Sequence, residues 1–130
     1  MALNNSKGVN RIGHIALKVK DLERAKAFYR SLGMKLIWDA EDWCYFETSP
    51  CKDGLALLGP KYKAAGPHFA FHFDDKKDVQ DIYNDLKDSG INVGPIHEHR
   101  DGTASFYMMD TEGNWLEMLY VPKGGIQSNV

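Results

Sequence analysis

"GPHFAFHFDD", residues 66–75, decides how this chain is read. His68, Ala70 and His72 alternate with Phe69, Phe71 and Phe73, the period of two that marks a β-strand, and the acidic pair that follows suits the start of a helix. A protein concerned only with stability would place Val or Ile where the two histidines stand. An earlier stretch, "IGHIALKVKD" at 12–21, opens the same way: a His, alternating apolar residues, then an Asp.

Outward from these two strands the chain repeats itself. "DLERAKAFYRSLG" has Asp21 as a helix cap, Leu22, Ala25, Phe28, Tyr29 and Leu32 at helical spacing, and Gly33 as a stop. "MKLIWDA", "DWCYFET" and "GLALLG" follow as three strands. After residue 75, "KKDVQDIYNDLKDSG" predicts a second helix with Val79, Ile82, Tyr83 and Leu86 on one side, and "INVGPI", "TASFYMMD" and "NWLEMLY" predict three more strands. The expected organisation is a tail at 1–9, a βαβββ module at 10–62, a second at 63–122 and a tail at 123–130. Aligning the modules sets His14 with His68, Gly33 with Gly90, Phe46 with Tyr107 and Ala56 with Glu117.

Composition limits the function. A net charge of −2, with no run of Lys or Arg longer than two, offers no footprint for nucleic acid or an anionic membrane. No apolar stretch approaches the ~18 residues of a membrane span, and no leader segment is recognisable, so a cytoplasmic protein acting on a small molecule is expected. Cys44 and Cys51 are too few and too isolated for a disulfide framework or a zinc knuckle.

The stretches "GHIALKVKDLERAKAFYRSLG", "PHFAFHF" and "FYMMDTEGNWLEMLY" resemble the vicinal oxygen chelate superfamily, the glyoxalase, bleomycin-resistance and ring-cleaving dioxygenase group, across residues 10–122. Thr111 and Glu112 depart slightly from the family's closing motif. The resemblance implies an α+β fold in which the two modules pair into a cupped eight-stranded sheet around a metal, with helices on the outer face. If the outer face carries Ile15, Leu17, Val19, Phe69, Phe71 and Phe73, then His14 and His68 point into the cup, and Glu117 converges on them. His72 shares their face but lies about 13 Å along the strand from His68 at ~3.3 Å per residue, so it is expected to line the cup and not to ligate.

In isomerising members of the family the position of Ala56 carries a ligating Glu or Gln. Its loss here leaves two His and one carboxylate, the set with open positions that suits Fe2+ or Mn2+, with Zn2+ or Ni2+ as alternatives. The resemblance therefore implies a dioxygenase-like enzyme, commonly a homodimer, acting on a substrate with vicinal oxygens. Alternatives are a thiol transferase opening an epoxide, which would want a basic clamp after Glu117 where only Lys123 stands, a glyoxalase-like lyase, and a drug-binding protein of the bleomycin-resistance kind. Tyr107 is expected to orient a substrate oxygen. Phe46, Ala56, His72, Ser105 and Trp115 are expected to line the substrate pocket, and His97, His99 and Arg100 to offer a loop base or an anion clamp.

Overall fold

A computed structural model describes residues 3–130. Strand β1 (Arg11–Lys18), helix α1 (Leu22–Ser31) and strands β2 (Lys35–Asp39), β3 (Trp43–Glu47) and β4 (Gly54–Leu58) form the first unit. Strand β5 (His68–Phe73), helix α2 (Lys76–Asp88) and strands β6 (His97–Glu98), β7 (Ala104–Met109) and β8 (Trp115–Tyr120) form the second. All eight strands make one sheet in the order β2-β3-β4-β1-β5-β8-β7-β6. The two units join through antiparallel β1 and β5, each of which runs parallel to the last strand of its own unit. This is the expected architecture.

Local chemistry starts and stops the helices where the sequence reading places them. The Asp21 carboxylate accepts the Arg24 N–H at 3.0 Å, the Asp75 carboxylate accepts the Lys77 N–H at 2.9 Å, and Gly33 and Gly90 end the helices at φ +87° and +78°. Helix α1 seats Leu22, Ala25 and Tyr29 on Leu36, Cys44, Phe46 and Leu57; helix α2 seats Val79, Ile82 and Leu86 on Phe73, Phe106, Leu116 and Met118.

Several details depart from expectation. Helix α1 lies over β2, β3 and β4, so Ile15 and Leu17 on the outer face of β1 stay substantially exposed, as do Phe28 and Leu32 on the helix flank. A bulge between Ile12 and His14 turns Ile12 outward, opposite Phe71, although strict alternation puts it on the His14 face. "INVGPI" forms no strand beyond the single bridge of Val93 to Met108; pairing with β7 falls to His97 and Glu98. Residues 123–130 pack instead of trailing: Ile126 is buried beside Ala16 and Ile37, the Gln127 N–H donates to the Asp101 carbonyl, and Asn129 exchanges hydrogen bonds with Asp39. That segment closes one end of the cup.

The hairpin registers carry the most consequential correction. Tyr107 opposes Glu117, ten residues apart, but the residue opposing Ala56 is Tyr45, eleven apart. The turn of the first hairpin is one residue longer, which reverses the parity of β3. Phe46 therefore points outward into the core beneath α1, 0% exposed, and does not line the pocket; Tyr45 faces the cup in its place. Ala56 and Glu117 do hold equivalent positions, since Ala16 pairs with Ala56 and Ala70 with Glu117, each two residues after the module's first inward His.

Candidate metal centre

Three strands deliver three donors to one point inside the cup. His14 lies on β1, His68 at the start of β5 and Glu117 in the middle of β8, and all three side chains are at most 6% exposed. The Nε2 atoms of both imidazoles stand 3.3 Å from Glu117 Oε1, and among the described residues this trio brings its donor atoms within 4.8 Å of one another.

Each donor is held from behind. His68 Nδ1 meets the Gly66 carbonyl at 2.8 Å, so Nδ1 carries a hydrogen and, in the neutral ring, the lone pair falls on Nε2. His14 Nδ1 lies 2.7 Å from His72 Nε2. Glu117 Oε2 accepts the Ser105 hydroxyl at 2.6 Å, and because that hydroxyl has spent its hydrogen, its oxygen accepts from His99 Nε2 at 2.7 Å. Oε1 is left to face the imidazoles.

The electrostatics suit a cation. Burial alone would raise the Glu117 pKa, but the hydrogen bonds and charges of His14 and His68 hold it well below the usual carboxylate range. Burial lowers His68, and its hydrogen bond and attraction to Glu117 more than offset this, leaving it raised. A buried carboxylate that faces a hydroxyl and two imidazoles, with no Lys or Arg beside it among the described residues, is a costly arrangement unless a positive charge joins it. Two nitrogens and one oxygen with a compact gap between them supply a donor set that fits a divalent transition ion.

A cavity of about 270 Å³ opens in front of the trio, at the low end of the ~300–1,000 Å³ usual for small-molecule sites. Ala56, Leu58, Leu119 and Ile126 supply apolar wall, and Asp42, Lys63, Arg100 and Asp101 supply charge. A second cavity of about 860 Å³ adjoins it, sharing Tyr62, His68, His99 and Tyr107 and reaching out to Met108, Met109 and Trp115.

The structure sorts the expected site residues unevenly. Ala56 lines the inner cavity and Trp115, about half exposed, the outer one. The Tyr107 ring packs edge-on against His68 at 5.0 Å, with burial and then the neighbouring Glu117 and Tyr62 pushing its phenol far above the usual range. His99 lines both cavities and is tied to Ser105, whereas His97 is exposed at the rim of the outer one. Arg100 is engaged by both oxygens of Asp42 at 3.2 Å. Besides Phe46, two residues sit elsewhere than expected. Ser105, fully buried, stands behind Glu117, and His72, 3% exposed, stands behind His14; neither lines either of these two cavities.

Sequence reasoning missed Tyr45 and Tyr62. Tyr45 meets the His14 ring edge-on at 5.6 Å, and its buried hydroxyl has no hydrogen-bond partner among the described residues. The aromatic run "DWCYFET" pointed to β3, but only the turn length tells Tyr45 from Phe46. Tyr62 lies in the connection between the units, where no periodicity marks it.

The comparisons agree with this fold. Residues 11–118 match the Glyoxalase/Bleomycin resistance protein/Dioxygenase superfamily. Biphenyl-2,3-diol 1,2-dioxygenase 2 of Rhodococcus globerulus is 28% identical over 117 residues, covering 83% of this chain and 61% of its own, so the chain spans under two thirds of that relative. Among solved structures, 2,2',3-trihydroxybiphenyl 1,2-dioxygenase from Sphingomonas wittichii superposes at a TM-score of 0.63 with 24% identity, over 90% of this chain and 43% of that one. Methylmalonyl-CoA epimerase from Streptomyces coelicolor superposes at 0.68 with 22% identity, over 87% of this chain and 98% of that one. With the two-module sheet in hand and the match running through nearly all of it, the chain belongs to the Glyoxalase/Bleomycin resistance protein/Dioxygenase superfamily.

Proposed function

We propose that the chain is a metal-dependent enzyme of dioxygenase type, using His14, His68 and Glu117 to hold one divalent ion and acting on a small substrate with vicinal oxygens. The observation that carries this reading is the asymmetry of the cup: a carboxylate at 117 and a methyl group at the equivalent position, 56. Three donors leave adjacent coordination positions free, and the space beside Ala56 is where a chelating ligand would lie. Fe2+ or Mn2+ fits this donor set, and such an ion would supply Lewis acidity and one-electron chemistry toward oxygen.

The protein's own groups do the rest. Leu58, Leu119 and Ile126 exclude water from one side of the inner cavity. The Tyr107 phenol stays protonated at neutral pH and can donate to a substrate oxygen bound near His68. His99 and Ser105 hold Glu117 Oε2, so that Oε1 keeps its orientation while ligands exchange. The 28% identical relative acts, by its name, on a biphenyl diol, and the adjoining outer cavity leaves room for a substrate larger than one ring. A cytoplasmic homodimer belongs to the same reading.

The test is anaerobic reconstitution with Fe2+ or Mn2+, followed by oxygen-electrode assays on a series of catechols. One ion per chain, with oxygen consumed one-for-one with the diol, is the expected result. Stoichiometric binding of an aromatic drug by protein that takes up no metal would replace the enzyme with a sequestering protein.

A further inference from the structure

We infer that His72 is a positioning residue for the metal centre, and that Gly13 and the bulge in β1 exist to admit its ring; this rests on the reading of His14 as a ligand. An imidazole that binds an ion through Nε2 must carry its hydrogen on Nδ1 and needs an acceptor there. His14 Nδ1 points at His72 Nε2, 2.7 Å away, in a pocket where His14 is 6% and His72 3% exposed, so no solvent competes. His72 therefore accepts through Nε2. The contact fixes both the tautomer and the tilt of His14, turning its Nε2 toward Glu117 and His68.

The backbone is shaped for this contact. A Cβ at residue 13 would stand 1.9–2.2 Å from three ring atoms of His72, so only glycine leaves the imidazole its place. The β1–β5 register slips between Ile12 and His14, at that same residue. Regular pairing from His14 and Ala70 would set Ile12 opposite His72; the extra residue sets Arg11 there, and with no side chain at 13 the His72 ring lies over the strand and reaches Nδ1. His68 needs no counterpart, since the Gly66 carbonyl performs the same task for it. The paired motifs "GH" at 13–14 and "H" at 72 thus form one device, and His72 acts through His14 without touching the ion.

Competitive titration of metal-free protein with Zn2+, a spectroscopically silent probe, tests this in wild type, His72→Phe, His72→Gln and Gly13→Ala, with circular dichroism reporting the fold of each. Wild type is expected to bind one ion, His72→Phe and Gly13→Ala to bind about 10- to 100-fold more weakly, and His72→Gln, whose amide oxygen can accept, to recover most of the loss. The Gly13→Ala, His72→Phe double variant should lose no more than either single one, because both remove the same contact. In 15N-labelled Zn2+ protein, the His14 Nδ1–H should be a slowly exchanging resonance in wild type and His72→Gln, and exchange rapidly in His72→Phe. Equal Zn2+ affinity in wild type and a folded His72→Phe would overturn the role of His72 while leaving the metal centre intact. A wild type that binds no Zn2+ would sink the metal centre and this proposal together.

Discussion

The two modules of this chain are the same machine built twice, and they differ most where it matters. In the second, β8 offers Glu117 to the cup with Ser105 and His99 stacked behind it and Tyr107 opposite. In the first, β4 offers Ala56 at the same position with Tyr45 opposite, its buried hydroxyl without a partner among the described residues. One half holds a polar chain of three side chains reaching to the cavity wall; the other offers only a methyl group at the matching position of β4. A duplicated scaffold can place two side chains at equivalent positions, and in the proposed function Glu117 serves as the donor while Ala56 leaves space for a ligand.

Exchanging the halves would break the comparison most severely. Glu117→Ala should abolish metal uptake and turnover, as read by metal analysis after gel filtration. Ala56→Glu puts a carboxylate where the cup is apolar and Ala56 is 4% exposed, so the metal-free variant should be destabilised by about 3–5 kcal/mol, with denaturant midpoints recovering when metal is added. With the open position closed, oxygen consumption should stop although the ion is retained.

A smaller loss is expected from Ser105→Ala, which removes the hydroxyl between His99 and Glu117. Metal affinity should fall by about 10- to 100-fold, in the range of outer partners of metal ligands, and Ser105→Thr should recover part of it if the methyl is accommodated.

The pH dependence of the metal-free protein separates the two histidines of β5 next. The His68 pKa is raised because Glu117 outweighs burial, so its pairing contributes stability that is complete below the unfolded value of 6.5 and is lost as pH rises through the raised one. His72, which burial, His14 and Arg11 push down to about 3, acts with opposite sign and only below 6.5. Thermal unfolding in chelator between pH 6.5 and 9 should therefore show stability declining with pH in wild type and a flatter profile in Glu117→Gln.

The smallest effect is at the two inward tyrosines. Tyr45→Phe deletes a buried hydroxyl that has no partner among the described residues and should be neutral or stabilising, by up to about 1 kcal/mol in denaturant unfolding. Tyr107→Phe should leave stability similar but slow turnover.

The sequence made the fold legible because periodicity two, the helix caps and the order of inward His, capped helix and terminating Gly all recur, once in each module. The trio at 14, 68 and 117 was visible for the same reason, since strand parity aims inward-facing residues at one space. Parity fails where a residue is inserted. The longer first hairpin turned Phe46 out and Tyr45 in, and the bulge at Gly13 turned Ile12 out and brought His72 behind His14. Both are one-residue events that leave composition and periodicity unchanged. Parity gives a face and not a depth, so it sets Ser105 among the cavity residues, whereas its hydrogen bond to Glu117 places it behind that carboxylate. The last eight residues carry no periodic pattern, and the burial of Ile126 arises from long-range contacts with β1 and β2.

The most direct test is an anomalous-difference map from crystals soaked anaerobically with Mn2+ or Fe2+. One peak per chain is predicted, about 2.0–2.2 Å from His14 Nε2, His68 Nε2 and Glu117 Oε1. A map with no peak among those three atoms, or an ion there that also takes a fourth protein donor, would contradict it.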